Sequence, residues 1–182
     1  MQRLFKTQRV TAGLYTACAV IVFVYTLCFM TEYKDLFGLK LKQNSQISFF
    51  HDSVLQMFNK QLFALAIFGI FIILFSFLLE VFSKVPDKFA LIVIGLSLVI
   101  CCAGSVYAIS NIQAIESFYR TLDVQYLHLE GLVNYEHRFG TFRVGTGIYI
   151  LNIVCCAVYG ATIGMSHFKF LKMKKKGRME NG

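Results

Sequence analysis

Charged residues are scarce in this sequence, and they are missing in long runs. Only 15% of the 182 residues are charged. Uncharged stretches lie between Arg9 and Glu32, Lys60 and Glu80, Lys88 and Glu116, and Arg143 and Lys169. Each stretch holds roughly 19 to 27 residues, and a helix needs about 20 to cross a bilayer. The sequence therefore predicts an integral membrane protein with four spans.

Residues that mark several classes of four-span protein are also missing. The chain has no Trp and no Asn-X-Ser/Thr sequon, and all six Cys fall within the uncharged stretches. Tetraspanins and connexin-like channels need loop cysteines, claudins need a Trp-containing signature, and quinone-linked thiol oxidases need loop cysteines or a C-x-x-C pair. There is no phosphate-binding loop, G-x-S-x-G or H-E-x-x-H motif. These four-span classes are excluded, and no cofactor is expected. The missing motifs favour a non-catalytic protein, although an enzyme stays among the alternatives.

The positions of the uncharged stretches predict the organisation of the chain. Spans are expected at about residues 10–30, 61–82, 88–110 and 144–167, with outer loops at about 31–60 and 111–143. The chain is 57% hydrophobic and leaves no room for a soluble domain, so residues 1–182 form a single integral membrane domain. The predicted fold is all-α: a four-transmembrane-helix bundle in up-down-up-down order. The single proline, Pro86, is expected to make a tight turn with Asp87 between spans two and three.

Two apolar patterns continue beyond the spans and predict helical extracytoplasmic extensions. Before span two, apolar residues recur at helical spacing: Ile47, Phe50, Val54, Leu55, Phe58 and Leu62. After span three, an outer seam alternates spacings of three and four in a heptad pattern: Ile112, Ile115, Tyr119, Leu122, Tyr126, Leu129 and Val133. A short strand over 124–129 is the alternative for the second extension. The two apolar faces are expected to pack on each other, on the membrane or on a partner.

Small residues mark candidate helix-packing positions. They are Gly13, Ala17, Gly104, Ala108, Gly160 and Gly164. Gly160 and Gly164 form a GxxxG pattern, and pairs of small residues one turn apart allow membrane helices to approach closely. By contrast, the three glycines between Gly140 and Gly147 predict a bend before span four.

The distribution of basic residues predicts orientation. The net charge is +8, and Lys and Arg cluster before span one, at the turn between spans two and three, and after span four. The positive-inside rule places these sites, and both termini, in the cytoplasm, with the protein in the plasma (inner) membrane. The cytoplasmic tail, 168–182, carries a basic group expected to contact anionic inner-leaflet lipids: Lys169, Lys172, Lys174, Lys175, Lys176 and Arg178. Nucleic acid is not expected as a partner, and the end of the tail is expected to be disordered.

Two vicinal cysteine pairs are the main chemical candidates within the spans. Cys101, Cys102, Cys155 and Cys156 are expected at similar depths near the bilayer centre. Soft metals such as Cu(I) favour thiolates, so a metal or redox site is one interpretation. The other is that these are small buried side chains that aid packing. No Met or His accompanies the pairs in the bilayer core, so packing is the preferred interpretation and no metal is expected.

Three functional hypotheses fit this sequence. The leading one is a non-catalytic subunit or scaffold of a membrane complex, with another membrane protein or a second copy as partner. The alternative is a small oligomeric channel or transporter, although the spans contain few polar residues and no charged residue near mid-membrane. The third is a membrane enzyme or metal site that uses the intramembrane thiols.

Overall fold

Four long helices form the protein. A computed structural model describes residues 2–30, 49–82, 88–122 and 139–180, and these contain no strand. The helices are α1 (Gln2–Met30), α2 (Gln56–Phe82), α3 (Lys88–Thr121) and α4 (Gly140–Glu180), with a π-helical turn at Phe50–Leu55 before α2. Stretches long and apolar enough to cross a membrane occur at Thr7–Leu27, Asp52–Phe75, Leu91–Thr121 and Gly140–Met173. The predicted all-α fold with four membrane-spanning helices is confirmed.

Neighbouring helices are antiparallel. As residue numbers increase along α1, the numbers of the residues that they contact on α4 decrease. Thr11 contacts Thr162, Cys18 contacts Asn152 and Tyr25 contacts Thr141. Between α3 and α4 the same order is seen in the pairs Leu98 with Gly160 and Ser105 with Asn152. Helix α1 packs on α2 and α4, and α3 packs on the same two helices. The four helices therefore enclose a core whose buried residues form two clusters, one around Tyr119 and Tyr149 and one around Tyr15 and Tyr159.

The core is built from heptad seams. On α3 the buried residues alternate spacings of three and four: Ile94, Leu98, Cys101, Ser105, Ala108, Ile112, Ile115, Tyr119 and Leu122. On α4 they do the same: Phe142, Gly145, Tyr149, Asn152, Cys156, Tyr159 and Ile163. Such spacing is typical of left-handed bundles whose helices cross at about 20°. Large apolar side chains such as Leu14, Val99 and Val154 face outward, as lipid contact requires.

One expectation about α4 is wrong. The glycines between Gly140 and Gly147 do not form a bend, because α4 runs without a break from Gly140. Glycine is common in membrane helices, and an apolar solvent penalises any broken backbone hydrogen bond. Helix α4 continues through the basic residues as far as Glu180, and the last two residues of the predicted disordered end lie outside the described residues.

The helices also extend past the predicted spans. Helix α3 continues to Thr121, and the outer-seam residues Ile112, Ile115, Tyr119 and Leu122 are buried. The ring of Phe50, from the π-helical turn, lies 5.6 Å from that of Tyr119. As far as the described residues show, the two apolar patterns pack on each other. Other predictions lie outside those residues: the seam at Tyr126, Leu129 and Val133, the 124–129 strand, Ile47 and the Pro86–Asp87 turn.

Candidate functional site

A ladder of neutral polar side chains crosses the middle of the bundle. The amide of Asn152 on α4 donates a 2.9 Å hydrogen bond to the hydroxyl of Ser105 on α3. The Asn152 carbonyl accepts from the Cys18 thiol of α1 at 3.7 Å, and Ser105 donates to the Cys101 carbonyl at 2.8 Å. Both Ser105 and Asn152 are buried. Hydrogen bonds among these groups therefore link α1, α3 and α4 at one level of the bundle.

A second polar contact joins α1 and α4 nearer their amino and carboxyl ends, respectively. The hydroxyls of Thr11 and Thr162 lie 2.9 Å apart, and both residues are buried. One turn deeper, the rings of Tyr15 and Tyr159 stack with centroids 5.4 Å apart. Among the residues whose burial is described, no charged side chain is buried. The contacts between α1 and α4 at this level are therefore made by neutral side chains.

The thiols of the two cysteine pairs lie close to one another. The Cys156 thiol neighbours those of Cys101 and Cys102, and Cys18 joins the group beside Cys155. All five thiols are free. Within the described part of the chain, however, no three His, Cys, Asp or Glu residues are placed to hold a metal ion together. A thiolate would also put an uncompensated charge in an apolar interior, which is costly. The arrangement supports the packing interpretation.

Two of the candidate packing residues lie inside the bundle at close approaches. A Cβ atom built on Gly104 would collide with the side chain of Leu65, so Leu65 of α2 occupies the space that this glycine leaves on α3. Ala108, one turn further along α3, is fully buried. Gly160 is looser, since its built Cβ would lie 3.4 Å from Leu98 Cδ1.

The other small residues face outward. Gly13 and Ala17 lie on the exposed side of α1, and Gly164 lies on the exposed side of α4. A Cβ atom built on Gly13 or Gly164 meets nothing within 4 Å. Ala157 and Ala161 extend the exposed small-residue stripe of α4. Packing within the monomer therefore does not require a small residue at Gly13 or Gly164.

Gly145 is a packing residue that the sequence analysis missed. A Cβ atom there would collide with the phenol of Tyr25, whose hydroxyl donates to the Thr141 carbonyl at 3.1 Å. The available signal was its register: Gly145 falls on the heptad that runs through Tyr149 and Asn152. The predicted bend before span four left Gly145 outside the helix, so its heptad position was not considered.

An aromatic cluster closes the end of the bundle opposite the basic residues. Tyr119 is fully buried, with its ring 5.6 Å from Phe142 and 5.7 Å from Phe139. The Arg120 guanidinium lies 4.2 Å from the centroid of Phe139, and its Nη2 lies 2.6 Å from Glu116 Oε1. Arg120 therefore pairs with Glu116 one turn earlier on α3 and also contacts Phe139, next to the start of α4.

The predicted lipid-facing basic residues lie on the last turns of α4, at the other end of the bundle. Lys169 and Lys172 are exposed, and the Lys172 ammonium lies 5.9 Å from the ring of Phe168. Lys174, Lys175, Lys176 and Arg178 follow within the same helix.

Comparison with protein-family models, curated proteins and solved structures finds no match.

Proposed function

We propose that this chain is a non-catalytic subunit or scaffold of a membrane complex. The observation that carries the proposal is the outward orientation of Gly13 and Gly164, each with open space where a side chain would lie. Small residues that do not serve the monomer can allow a second membrane helix to approach closely. The partner helix, from another membrane protein or from a second copy, would lie along these faces of α1 and α4.

The interior supports a structural role over transport. The polar atoms of the Cys18–Asn152–Ser105 ladder are hydrogen-bonded to one another, and buried side chains fill the seams. A transport path usually places ionisable groups near mid-membrane. The outer seam is a weaker candidate for docking than the sequence indicated, because Tyr119 and Leu122 are already buried within the monomer.

Bulky substitutions at the outward glycines test this function. Gly13→Leu and Gly164→Leu should leave the fold of the monomer intact, because a Cβ meets nothing within 4 Å at either position. They should remove the associated chain when the protein is purified in mild detergent and its complexes are separated by native electrophoresis. The matched control is Gly95→Leu on α3, which is also exposed and open.

The expected pattern is association in the wild type and in Gly95→Leu, and its loss in Gly13→Leu or Gly164→Leu. Circular dichroism and thermal unfolding would show that all variants fold alike. A wild-type protein that is a lone, stable monomer in mild detergent would refute the proposal. So would equal association in all four proteins.

A further inference from the structure

Basic residues from three helices converge on one end of the bundle. Because Thr11 meets Thr162 and α1 is antiparallel to α4, the first turns of α1 lie beside the last turns of α4. Helix α3 begins at this end, and α2 finishes there. The basic residues placed here are Arg3, Lys6, Arg9, Lys88, Lys169, Lys172, Lys174, Lys175, Lys176 and Arg178, against the acidic Glu80 and Glu180. This end, the basic collar, is strongly electropositive.

The helical form of the collar decides where its charges lie. Helix α4 continues 13 residues past His167, to Glu180, which is about 20 Å at 1.5 Å per residue. Lys169 and Lys172, both exposed, lie three residues apart and so share one side of α4. A disordered tail would spread these charges through solvent, whereas a continuous helix holds them next to the membrane-spanning part.

Apolar side chains are interleaved with the charges. Phe168, Leu171 and Met173 are exposed, and they alternate along α4 with the exposed Lys169 and Lys172. The Lys172 ammonium lies near the Phe168 ring, so its stem follows an apolar surface while its charge reaches outward. This mixture suits the boundary between acyl chains and headgroups, where a ligand presents a phosphate beside hydrocarbon.

We propose that the basic collar binds the phosphodiester headgroups of anionic phospholipids, with their acyl chains against Phe168 and Leu171. Charge complementarity selects the anionic headgroup, and each Lys or Arg near an anionic leaflet contributes to binding. The exposed apolar residues select a lipid rather than a free phosphate. This proposal is independent of assembly with a partner, because a single copy carries the whole collar.

The test measures which lipids the purified full-length protein retains. The protein is incubated in detergent with equal amounts of phosphatidylglycerol and phosphatidylcholine, and bound lipids are counted by native mass spectrometry. We expect phosphatidylglycerol to be preferred on the order of tenfold, and Lys169→Gln with Lys172→Gln to remove most of that preference. Raising the ionic strength should weaken it in the wild type.

The matched control removes two positive charges from the opposite end. Lys60 and Arg143 are both exposed, so Lys60→Gln with Arg143→Gln changes net charge equally and should leave the preference intact. An equal loss in both double variants would refute the collar and indicate a net-charge effect. Competition by millimolar inorganic phosphate would overturn the lipid assignment in favour of a free-anion site. Equal retention of both lipids by the wild type would refute the proposal.

Discussion

Glycine residues act in two ways in this bundle, according to the direction each one faces. Gly104 and Gly145 face neighbouring helices and leave space for Leu65 and Tyr25, respectively. Gly13 faces outward into open space. In the first case the missing side chain permits intramolecular packing, and in the second it leaves a surface for another helix. Substitution of glycine is therefore expected to affect the stability of the monomer at Gly104 and Gly145, and association with another helix at Gly13.

Gly145→Ala should destabilise the monomer. The added Cβ would overlap the Tyr25 phenol, and overpacking a tight core costs about 1–3 kcal/mol. Thermal unfolding in detergent, followed by circular dichroism, should show a lowered Tm. The control is Gly147→Ala on the same helix, where a Cβ meets nothing within 4 Å. If the two variants shift Tm equally, the close approach of Gly145 to Tyr25 does not limit stability.

At the scale of the helices, the sequence predicts the spans better than the seams. Uncharged stretches locate four membrane helices because a bilayer excludes charge whichever way a residue faces. A seam is harder to find there, since lipid-facing and core-facing positions are both apolar. The heptad was recognised only from Ile112 onward, where the exposed face becomes polar, although on α3 it begins at Ile94.

Within the spans, small and polar residues distinguish the seam from the lipid-facing surface. Ser105 and Ala108 on α3, and Gly145 and Asn152 on α4, all lie on the buried heptads. Hydrophobicity does not separate Val99, which is exposed, from Leu98, which is buried. The depth of the paired cysteines could be predicted by counting residues from the ends of the spans. The position of Cys18 beside these pairs could not be predicted, because it depends on which helices are neighbours in the bundle.

The hydrogen bond between Asn152 and Ser105 should couple α3 to α4. Asn152→Ala leaves the Ser105 and Cys18 partners unmatched, and polar contacts between membrane helices are worth about 0.6 kcal/mol and at most about 1.7. A double-mutant cycle of Asn152→Ala and Ser105→Ala, measured by unfolding in detergent, should give a coupling energy in that range. Pairing Asn152→Ala with Ser110→Ala should give none, because Ser110 is exposed and bonds within its own helix. Equal coupling in both cycles would exclude a specific contact.

At the scale of the whole molecule, more of the described basic residues lie at the collar than at the other end, which carries Lys60, Arg120 and Arg143. One end carries the basic collar, with Lys169 and Lys172 exposed. The other end contains the aromatic cluster around Tyr119, where Arg120 is paired with Glu116. Lys and Arg near the ends of the spans bias that side of a membrane protein toward the cytoplasm, and they are most numerous at the collar. The fold therefore makes a single prediction for both termini.

Both termini should lie on the cytoplasmic side of a bacterial inner membrane. Green fluorescent protein fused after Gly182 should fluoresce, and alkaline phosphatase fused there should be inactive, because each reporter works on one side only. Alkaline phosphatase inserted after Asn44, in the predicted outer loop, should be active and serves as the control. Replacing Lys169, Lys172, Lys174, Lys175, Lys176 and Arg178 with Gln should weaken this orientation. An active phosphatase at Gly182 in the unmodified chain would show the opposite orientation, with the collar at the outer leaflet. That result would contradict the charge argument for the orientation.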